Sequence, residues 1–356
     1  MTTHSSGFNN PIPATDAIIE YEGGIVLITR KNPPYGLAIP GGFAEGGLTL
    51  EENVRKEALE ETGLTYIVKK HIPFAISDKP KRDPRAHIIS IAYVGRGYGE
   101  LVAGDDAAAA RVYSFDEVMH LAKGGEIDGM RLAFDHAAIL GKYLAERPKL
   151  GIDKPLGKAG VIGRFRPPHL GTALLLEALC EQAEHAIIGI GSANKYNCRN
   201  PFTAEEAKQM VDLLLKPRFS NYEFVEVQDY GHIPEHSDGK KWVEEVANSF
   251  GALDAFVSGN NYVHELLVAK YPVLNSYDII PRGKWVKASG TMVRQAMAAG
   301  RDWKMLVPEA VAGYIERNRL DQRFRKEFGL ETIARMADEE YLNTNTAAER
   351  QRVKGG

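Results

Sequence analysis

The chain has 356 residues, enough for two separate cores, and its 44% hydrophobic and 26% charged content is that of an ordinary globular protein. A formal net charge of −3 leaves no electrostatic footprint for nucleic acid, and no apolar run reaches membrane-spanning length, so neither is expected as a partner. Two cysteines, Cys180 and Cys198, match neither a zinc spacing nor a disulfide framework, which points to a reducing cytoplasm. The polar start, 1–10, lacks a signal-peptide pattern and reads as a short disordered lead.

Residues 18–29 read as two strands around a Glu22-Gly-Gly24 turn. Pro33-Pro34 and Pro40-Gly-Gly42 punctuate the stretch after them. Thr49 with Glu52 makes a capping box and Gly63 a C-terminal stop, which predicts a helix over 50–62. Glu57, Glu60 and Glu61 fall on one arc of that helix at about 100° per residue. Their mutual repulsion, about 0.2–0.5 kcal/mol per pair, is reversed by a divalent cation, and hard oxygen ligands suit Mg²⁺ or Mn²⁺. Three glutamates alone would be a solvated acidic face. The glycine-bearing loop before them and Thr62-Gly63-Leu64 behind turn the reading to a metal site. Two closing helices are predicted over 115–121 and 129–144.

The segment from Gly42 to Leu64 resembles the Nudix box, with Gly42, Glu57, Glu60, Glu61, Gly63 and Leu64 in register. Leu48 stands where the family has its first Glu, Lys56 where it has Arg, and Ala58 where it has a larger aliphatic. In the family the first Glu and the Arg brace the loop–helix–loop, so a brace is expected to be missing here. The stretches 82–94 and 103–113 resemble the matching parts of ADP-ribose pyrophosphatase-type members. The resemblance implies an α/β/α sandwich with a mixed sheet, metal ligands Glu57, Glu60 and Glu61, and hydrolysis of ADP-ribose or a related nucleoside diphosphate. Many relatives carry a distal Glu in the second stretch. Here Ala107 to Ala110 supply none and Asp105 and Asp106 fit a turn, so Glu60 or Glu61 acting through a metal-bound water is the expected base.

Prolines and glycines at 148, 151, 155 and 157 mark a linker. The expected organisation is a hydrolase domain over 1–148, a linker over 149–157, a second domain over 158–320 and a C-terminal helix and polar tail over 321–356. Beyond the linker strands and helices alternate. Strands are expected near 159–163, 185–191, 222–227, 255–258 and 277–280. Helices are expected over 173–184, 203–215, 241–250, 261–269 and 289–299. This pattern predicts a doubly wound, Rossmann-like parallel sheet with ligands at the C-terminal strand ends. Ser289-Gly-Thr291, with Arg294 one turn on, forms either a phosphate clamp or a plain N-cap beside a surface arginine. The charged helix 321–328, with Arg323, Arg325 and Lys326, reads as a solvated face.

Gly163-Arg-Phe-Arg-Pro-Pro-His169, Gly191-Ser-Ala193, Asn200-Pro-Phe-Thr203, Val227-Gln-Asp229, Ser258-Gly-Asn260 and Ser289-Gly-Thr-Met-Val-Arg294 occur in the order of one family. The second half resembles archaeal-type nicotinamide mononucleotide (NMN) adenylyltransferases, in the HxGH nucleotidyltransferase superfamily. The resemblance implies transfer of the adenylyl group of ATP to NMN, giving NAD and pyrophosphate. It puts His169 and Arg294 on the triphosphate, Arg199 on the transition state, and Gly163, Arg164, Phe165, Gly191, Ser192, Asn260, Ser289, Gly290 and Thr291 around the nucleotides. Trp242 falls where the family stacks on nicotinamide; a core aromatic is the equal alternative. Thr172 replaces the second His of the family signature, and loss of one transition-state donor costs about 3 kcal/mol, roughly a hundredfold. Arg166 or Lys195 could compensate. The whole reads as a bifunctional enzyme of NAD metabolism, its ligands ATP, NMN, NAD and ADP-ribose. Homo-oligomerisation is left open. The rivals are a nucleotide sensor without turnover and a transferase with another phosphate acceptor.

Overall fold

The structure, a computed structural model, describes residues 10–69, 72–103, 107–150, 154–231, 233–236, 238–281 and 283–354. The lead 1–9 and the residues Asp105 and Asp106 lie outside them. The chain divides into two compact units, 1–157 and 158–356. Among the described residues no helix is long and apolar enough to cross a membrane.

In the first unit β1 (Ile12–Tyr21) and β2 (Gly24–Arg30) form an antiparallel hairpin. Its two turn residues, Glu22 and Gly23, have φ of 45° and 84°, the I′ geometry that matches the twist of the strands. β3 (Leu37–Ala38), β4 (Gly41–Phe43), β5 (Thr65–Val68), β6 (Ala75–Ser77), β7 (Ile88–Tyr98) and β8 (Ala107–Ser114) complete one sheet. Its order is β3-β2-β1-β7-β5, with β4 on β1, β6 on β7 and β8 on β2. The β1–β7 pairing is parallel and the others are antiparallel. Successive residues of β1 face opposite ways. Ala17 and Ile19 pack with Val54 and Ala58 of α1 (Leu50–Thr62). Ile18 packs with Val118 and Leu121 of α2 (Phe115–Ala122) and with Ile139 and Leu140 of α3 (His136–Glu146). The expected α/β/α sandwich is therefore present.

One helix is shorter than expected. The predicted helix over 129–144 begins only at His136. Leu37 N–H donates to the Arg131 carbonyl at 2.8 Å, and Ala133 N–H donates to the Leu37 carbonyl at 2.8 Å, so this stretch is drawn out against β3. It ends at Phe134, whose φ is 56°.

The second unit runs through β9 (Leu156–Gly163), α4 (Leu170–Gln182), β10 (Ala183–Gly191), α5 (Ala204–Leu215), β11 (Tyr222–Val227), α6 (Lys240–Phe250), β12 (Ala255–Ser258), α7 (Asn261–Leu267), β13 (Val273–Asn275), α8 (Ser276–Ile279), α9 (Gly290–Ala298), α10 (Glu309–Arg317) and α11 (Leu320–Lys354). The sheet order is β11-β10-β9-β12-β13, with parallel pairings. The order in which strands are added reverses between β9 and β12, the switch point at which doubly wound sheets bind ligands. β9 begins at Leu156, within the stretch read as a linker.

Two expectations are corrected in this unit. The strand expected over 277–280 is helix α8; the strand lies just before it, and the Asn275 side chain accepts from Tyr277 N–H to start the helix. Buried Ile279 and Ile280 gave that segment its strand-like apolar run. The tail beyond Leu320 continues as a helix, and its inner face belongs to the core. Phe324 is fully buried with Val293, Val311 and Ile315, and Arg323 pairs with Glu206 at 2.6 Å rather than standing in solvent alone.

Candidate active sites

The first site lies at the end of α1. Gly41 N–H donates to Glu61 Oε2 at 2.8 Å. A Cβ on Gly42 would sit 2.4 Å from the Glu57 carboxyl, so only glycine lets that side chain approach the strand. Glu61 is pushed up to about 7, first by burial and then by the Glu57 and Asp16 charges, against the Gly41 hydrogen bond and Arg30. Glu60 is half-exposed and its Oε1 lies 3.4 Å from Lys56 Nζ. Among the described residues no group of three or more His, Cys, Asp or Glu side chains is gathered as a metal cage. The carboxylates are instead split, with Glu57 and Glu61 against Gly41–Phe43 and Glu60 drawn toward Lys56.

The missing brace has a substitute. Lys56 Nζ pairs with Glu45 Oε1 at 2.5 Å, so the cation that replaces Arg finds its acid three residues ahead of Leu48. Buried Asn53 adds a neutral tie: its Oδ1 accepts from Glu45 N–H at 3.0 Å and its Nδ2 donates to Thr15 Oγ1 at 2.9 Å. The expectation of an unbraced loop is therefore corrected.

Next to Gly41 and Gly42 a small cleft of about 70 Å³ opens, lined by Asp16, Arg30, Phe43, Arg82, Arg85 and Phe134 among others. The Arg30, Arg82 and Arg85 guanidiniums lie 4.7, 5.8 and 5.2 Å from the Phe134 ring centre. A positive φ in a non-glycine aromatic is uncommon and costs energy, yet here it delivers the ring on which three cations gather. Beneath them His136 Nδ1 accepts from Ile39 N–H at 3.0 Å, which leaves the proton on Nε2, 3.6 Å from Asp16. Of this set only the 82–94 stretch was marked by sequence. Arg30, Phe134 and His136 are brought in by long-range pairing and carry no local motif.

The second site lies at the switch point. Gly163, Arg164, Gly191, Ser192, Arg199, Trp242 and Asn260 line a single cleft of about 840 Å³, together with Lys195, Asn197, Asp229, Tyr230, His236 and Tyr262. Trp242 lines the cleft and also packs on the Phe250–Phe256 cluster. Tyr230, His236 and Tyr262 were missed because they sit in loops and helix starts that show no periodicity.

Phe165, His169, Thr172, Ser289, Gly290, Thr291 and Arg294 adjoin this cleft without lining it. A Cβ on Gly163 would lie 2.5 Å from the Phe165 ring, which folds back at φ 51°. His169 N-caps α4; its Nδ1 accepts from Thr172 N–H at 3.3 Å, so the neutral ring carries its proton on Nε2. Burial and then Arg294 lower His169 to about 4. Arg294 itself is lowered to about 10 by burial and then by Arg164 and Arg199. Burial and Arg199 also lower Arg164. Repelling cations held together in this way favour an anion. Arg294 donates to the Arg166 carbonyl and to Thr291 Oγ1, both at 3.2 Å. Ser289 Oγ accepts from Met292 N–H at 3.2 Å, so the N-cap reading applies to it, with Arg294 turned inward.

Arg166 does not face the cleft as a substitute donor. It is 1% exposed and donates to the carbonyls of Ser192 (3.1 Å) and Lys195 (3.0 Å), fixing the loop after β10. Thr172 is buried in the first turn of α4, where its backbone N–H engages His169.

Comparison with known proteins agrees with this division. The NUDIX domain model matches residues 10–132 and the cytidylyltransferase-like model residues 161–296. The chain is 41% identical over 138 residues to an ADP-ribose pyrophosphatase of Methanocaldococcus jannaschii, covering 38% of this chain and 74% of that protein. It is 34% identical over 162 residues to a nicotinamide-nucleotide adenylyltransferase of Picrophilus torridus, covering 45% of this chain and 90% of that protein. Among solved structures, a bifunctional NMN adenylyltransferase/ADP ribose pyrophosphatase of Francisella tularensis aligns with 40% of this chain and 43% of its own, at 23% identity and a TM-score of 0.34. The chain thus belongs to the Nudix family through its first half and to the nicotinamide-nucleotide adenylyltransferase family through its second.

Proposed function

We propose that this protein is a bifunctional enzyme of NAD metabolism, making NAD from ATP and NMN in its second unit and hydrolysing ADP-ribose in its first. The observation that carries the transferase reading is the gathering of Arg164, Arg199 and Arg294 beside a neutral His169 at the switch point. In the reaction an NMN phosphate oxygen bonds to the α-phosphorus of ATP while the bond from that phosphorus to the bridging oxygen of pyrophosphate breaks. No protein group need bond to phosphorus; the work is positioning and charge. His169 Nε2–H and Arg294 hold the triphosphate, the N–H groups that start α4 add donors, and Arg199 meets the charge that grows in the transition state. Trp242 offers a face to the nicotinamide ring. The test is direct: purified protein with ATP, NMN and Mg²⁺ yields NAD, and Arg294→Ala lowers kcat by about a hundredfold or more.

For the first unit, water attacks a phosphorus of the ADP-ribose diphosphate, giving AMP and ribose 5-phosphate. Arg30 faces the anionic substrate from the same cleft as Arg82 and Arg85, whose charges are paired with Asp135 at 2.6 Å and Asp83 at 2.7 Å. The donor set fits a hard divalent cation such as Mg²⁺ or Mn²⁺, because buried Glu61 and its neighbours Glu57 and Asp16 concentrate negative charge in one place. Glu57 and Glu61, with Glu60, would hold it. A cation there would neutralise diphosphate charge and lower the pKa of a bound water. Glu60 is not tied to the strand as Glu61 is, and to it we assign the proton of the attacking water. Loss of AMP release in Glu60→Gln, with the fold intact, tests that assignment.

A further inference from the structure

Of the residues that line the first cleft, Phe134 is the one non-glycine held in the left-handed backbone region, at φ 56°. Such a conformation costs energy and persists only where the surroundings over-determine it. The ring is half-buried, so apolar burial alone does not account for the turn.

The chain is clamped on both sides of Phe134. Before it, Leu37 N–H donates to the Arg131 carbonyl and Ala133 N–H to the Leu37 carbonyl, each at 2.8 Å. A Cβ on Gly36 would stand 2.5 Å from the same Arg131 carbonyl oxygen, so only glycine allows this approach. After it, Asp135 holds Ser77 and Arg82, and His136 Nδ1 accepts from Ile39 N–H at 3.0 Å. With both ends fixed, the turn falls at Phe134 and its ring is turned into the cleft.

The nearest cation to that ring is Arg30, 4.7 Å from its centre, against 5.2 Å for Arg85 and 5.8 Å for Arg82. The loop that clamps 131–133 also closes on Arg30. Arg30 N–H donates to the Gly36 carbonyl at 3.0 Å, and its Nε donates to the Pro34 carbonyl at 2.8 Å. Arg82 and Arg85 have carboxylate partners, whereas among the described residues no carboxylate pairs with Arg30. Arg30 nevertheless feels the Glu61 and Asp16 charges, which puts it toward the carboxylate end of the cleft.

We propose that Phe134 is a positioning residue of the hydrolase, whose ring supports the Arg30 guanidinium on one face and fixes that cation on the substrate diphosphate. This rests on the hydrolase reading. Phe134 touches no reacting atom and acts only through Arg30. A guanidinium held against a π-face keeps its charge and loses less freedom when the anion arrives.

The test is a double-mutant cycle on the full chain, read as kcat/KM for AMP release from ADP-ribose with Mg²⁺. Phe134→Gly suits the left-handed backbone but loses the ring, and Phe134→Leu keeps apolar bulk but loses the π-face. Both are expected to lower kcat/KM about tenfold, while Phe134→Tyr stays within about threefold of the unaltered protein. In the Arg30→Ala background, removing the ring is expected to cost no more than about twofold further, because the group it acts through is already gone. An unchanged kcat/KM in Phe134→Gly overturns the proposal. So does a loss in the double variant equal to the product of the two single losses, which would show Phe134 acting independently of Arg30. Absence of AMP release by the unaltered protein would instead overturn the hydrolase reading, and the positioning role with it.

Discussion

At the scale of single residues, burial sets protonation in both units. His169 is held neutral, at about 4, and the sign of its effect on stability comes from that depression. Its contribution is fully present above the unfolded value near 6.5 and is lost as pH falls toward 4, because the unfolded chain takes up the proton first. An NMR titration of the free protein should place the His169 midpoint well below that of an ordinary histidine, and a bound triphosphate should move it upward. A midpoint near 6.5 that ignores triphosphate would contradict its role. Glu61 runs the other way. Raised to about 7, it contributes fully below the unfolded value near 4.5, and that contribution is lost as pH rises through 7. In metal-free protein at about pH 8, Glu61→Gln should therefore stabilise by about 1–2 kcal/mol, allowing for partial exposure, while ADP-ribose hydrolysis disappears. Thermal melts at about pH 5 and about pH 8 check this, the gain being confined to the higher pH. Thr172 is the residue on which the family signature and this chain part. Its backbone, not its hydroxyl, engages His169. Thr172→His should raise NAD synthesis if the site lacks a donor, and leave it unchanged if the arginine cluster already supplies that charge.

At the scale of elements, what is locally encoded was legible and what is brought from afar was not. The capping boxes at Thr49 and Thr203 and the αL stop at Gly63 need only a few neighbouring residues, and the helices they bound were readable to within a residue or two. The residues 129–135 were not, because their conformation is dictated by Leu37, far away in sequence. The Lys56–Glu45 brace escaped notice for a related reason: the partner lies in a loop, where no period points to it. The long helix α11 is a further case. Its charge pattern suggested a solvated face, but its inner side grips the loop that carries Arg199. Tyr196 donates to Glu327 and stacks edge-on with Phe328, Cys198 donates to Glu331 at 3.3 Å, and Arg323 reaches the Pro201 carbonyl at 3.4 Å. Positioning through a neighbour affects rate more than binding. Replacing both Glu327 and Glu331 with Ala should lower kcat for NAD synthesis several-fold, on the order of 1 kcal/mol, with little change in KM for ATP. Steady-state kinetics decide it, and a change in KM alone would show α11 to be only structural.

At the scale of the whole chain, two units carry two constellations of opposite charge logic. One concentrates carboxylates beside a strand and adds arginines from β2 and from the segment before β7. The other gathers arginines from two loops and from α9 around the switch point of a parallel sheet. The parallel sheet of the second unit was readable from strand and helix alternation, since each layer is written as a local apolar period, whereas the sandwich of the first was implied by the resemblance of its Gly42–Leu64 segment. The candidate sites were readable where motifs are contiguous, as in Gly163–His169 and Ser289–Arg294. They were not readable where the lining comes from isolated residues such as Phe134 or Tyr262. The central claim is that the two chemistries reside on separate residues of one chain. One assay tests it most directly: NAD formation from ATP and NMN, and AMP release from ADP-ribose, each measured for the unaltered protein, Arg294→Ala and Glu61→Gln. The account predicts both activities in the unaltered protein, loss of NAD formation alone in Arg294→Ala, and loss of AMP release alone in Glu61→Gln. Absence of NAD formation by the unaltered protein at high enzyme concentration, or loss of both activities in either variant with the fold intact, would contradict it.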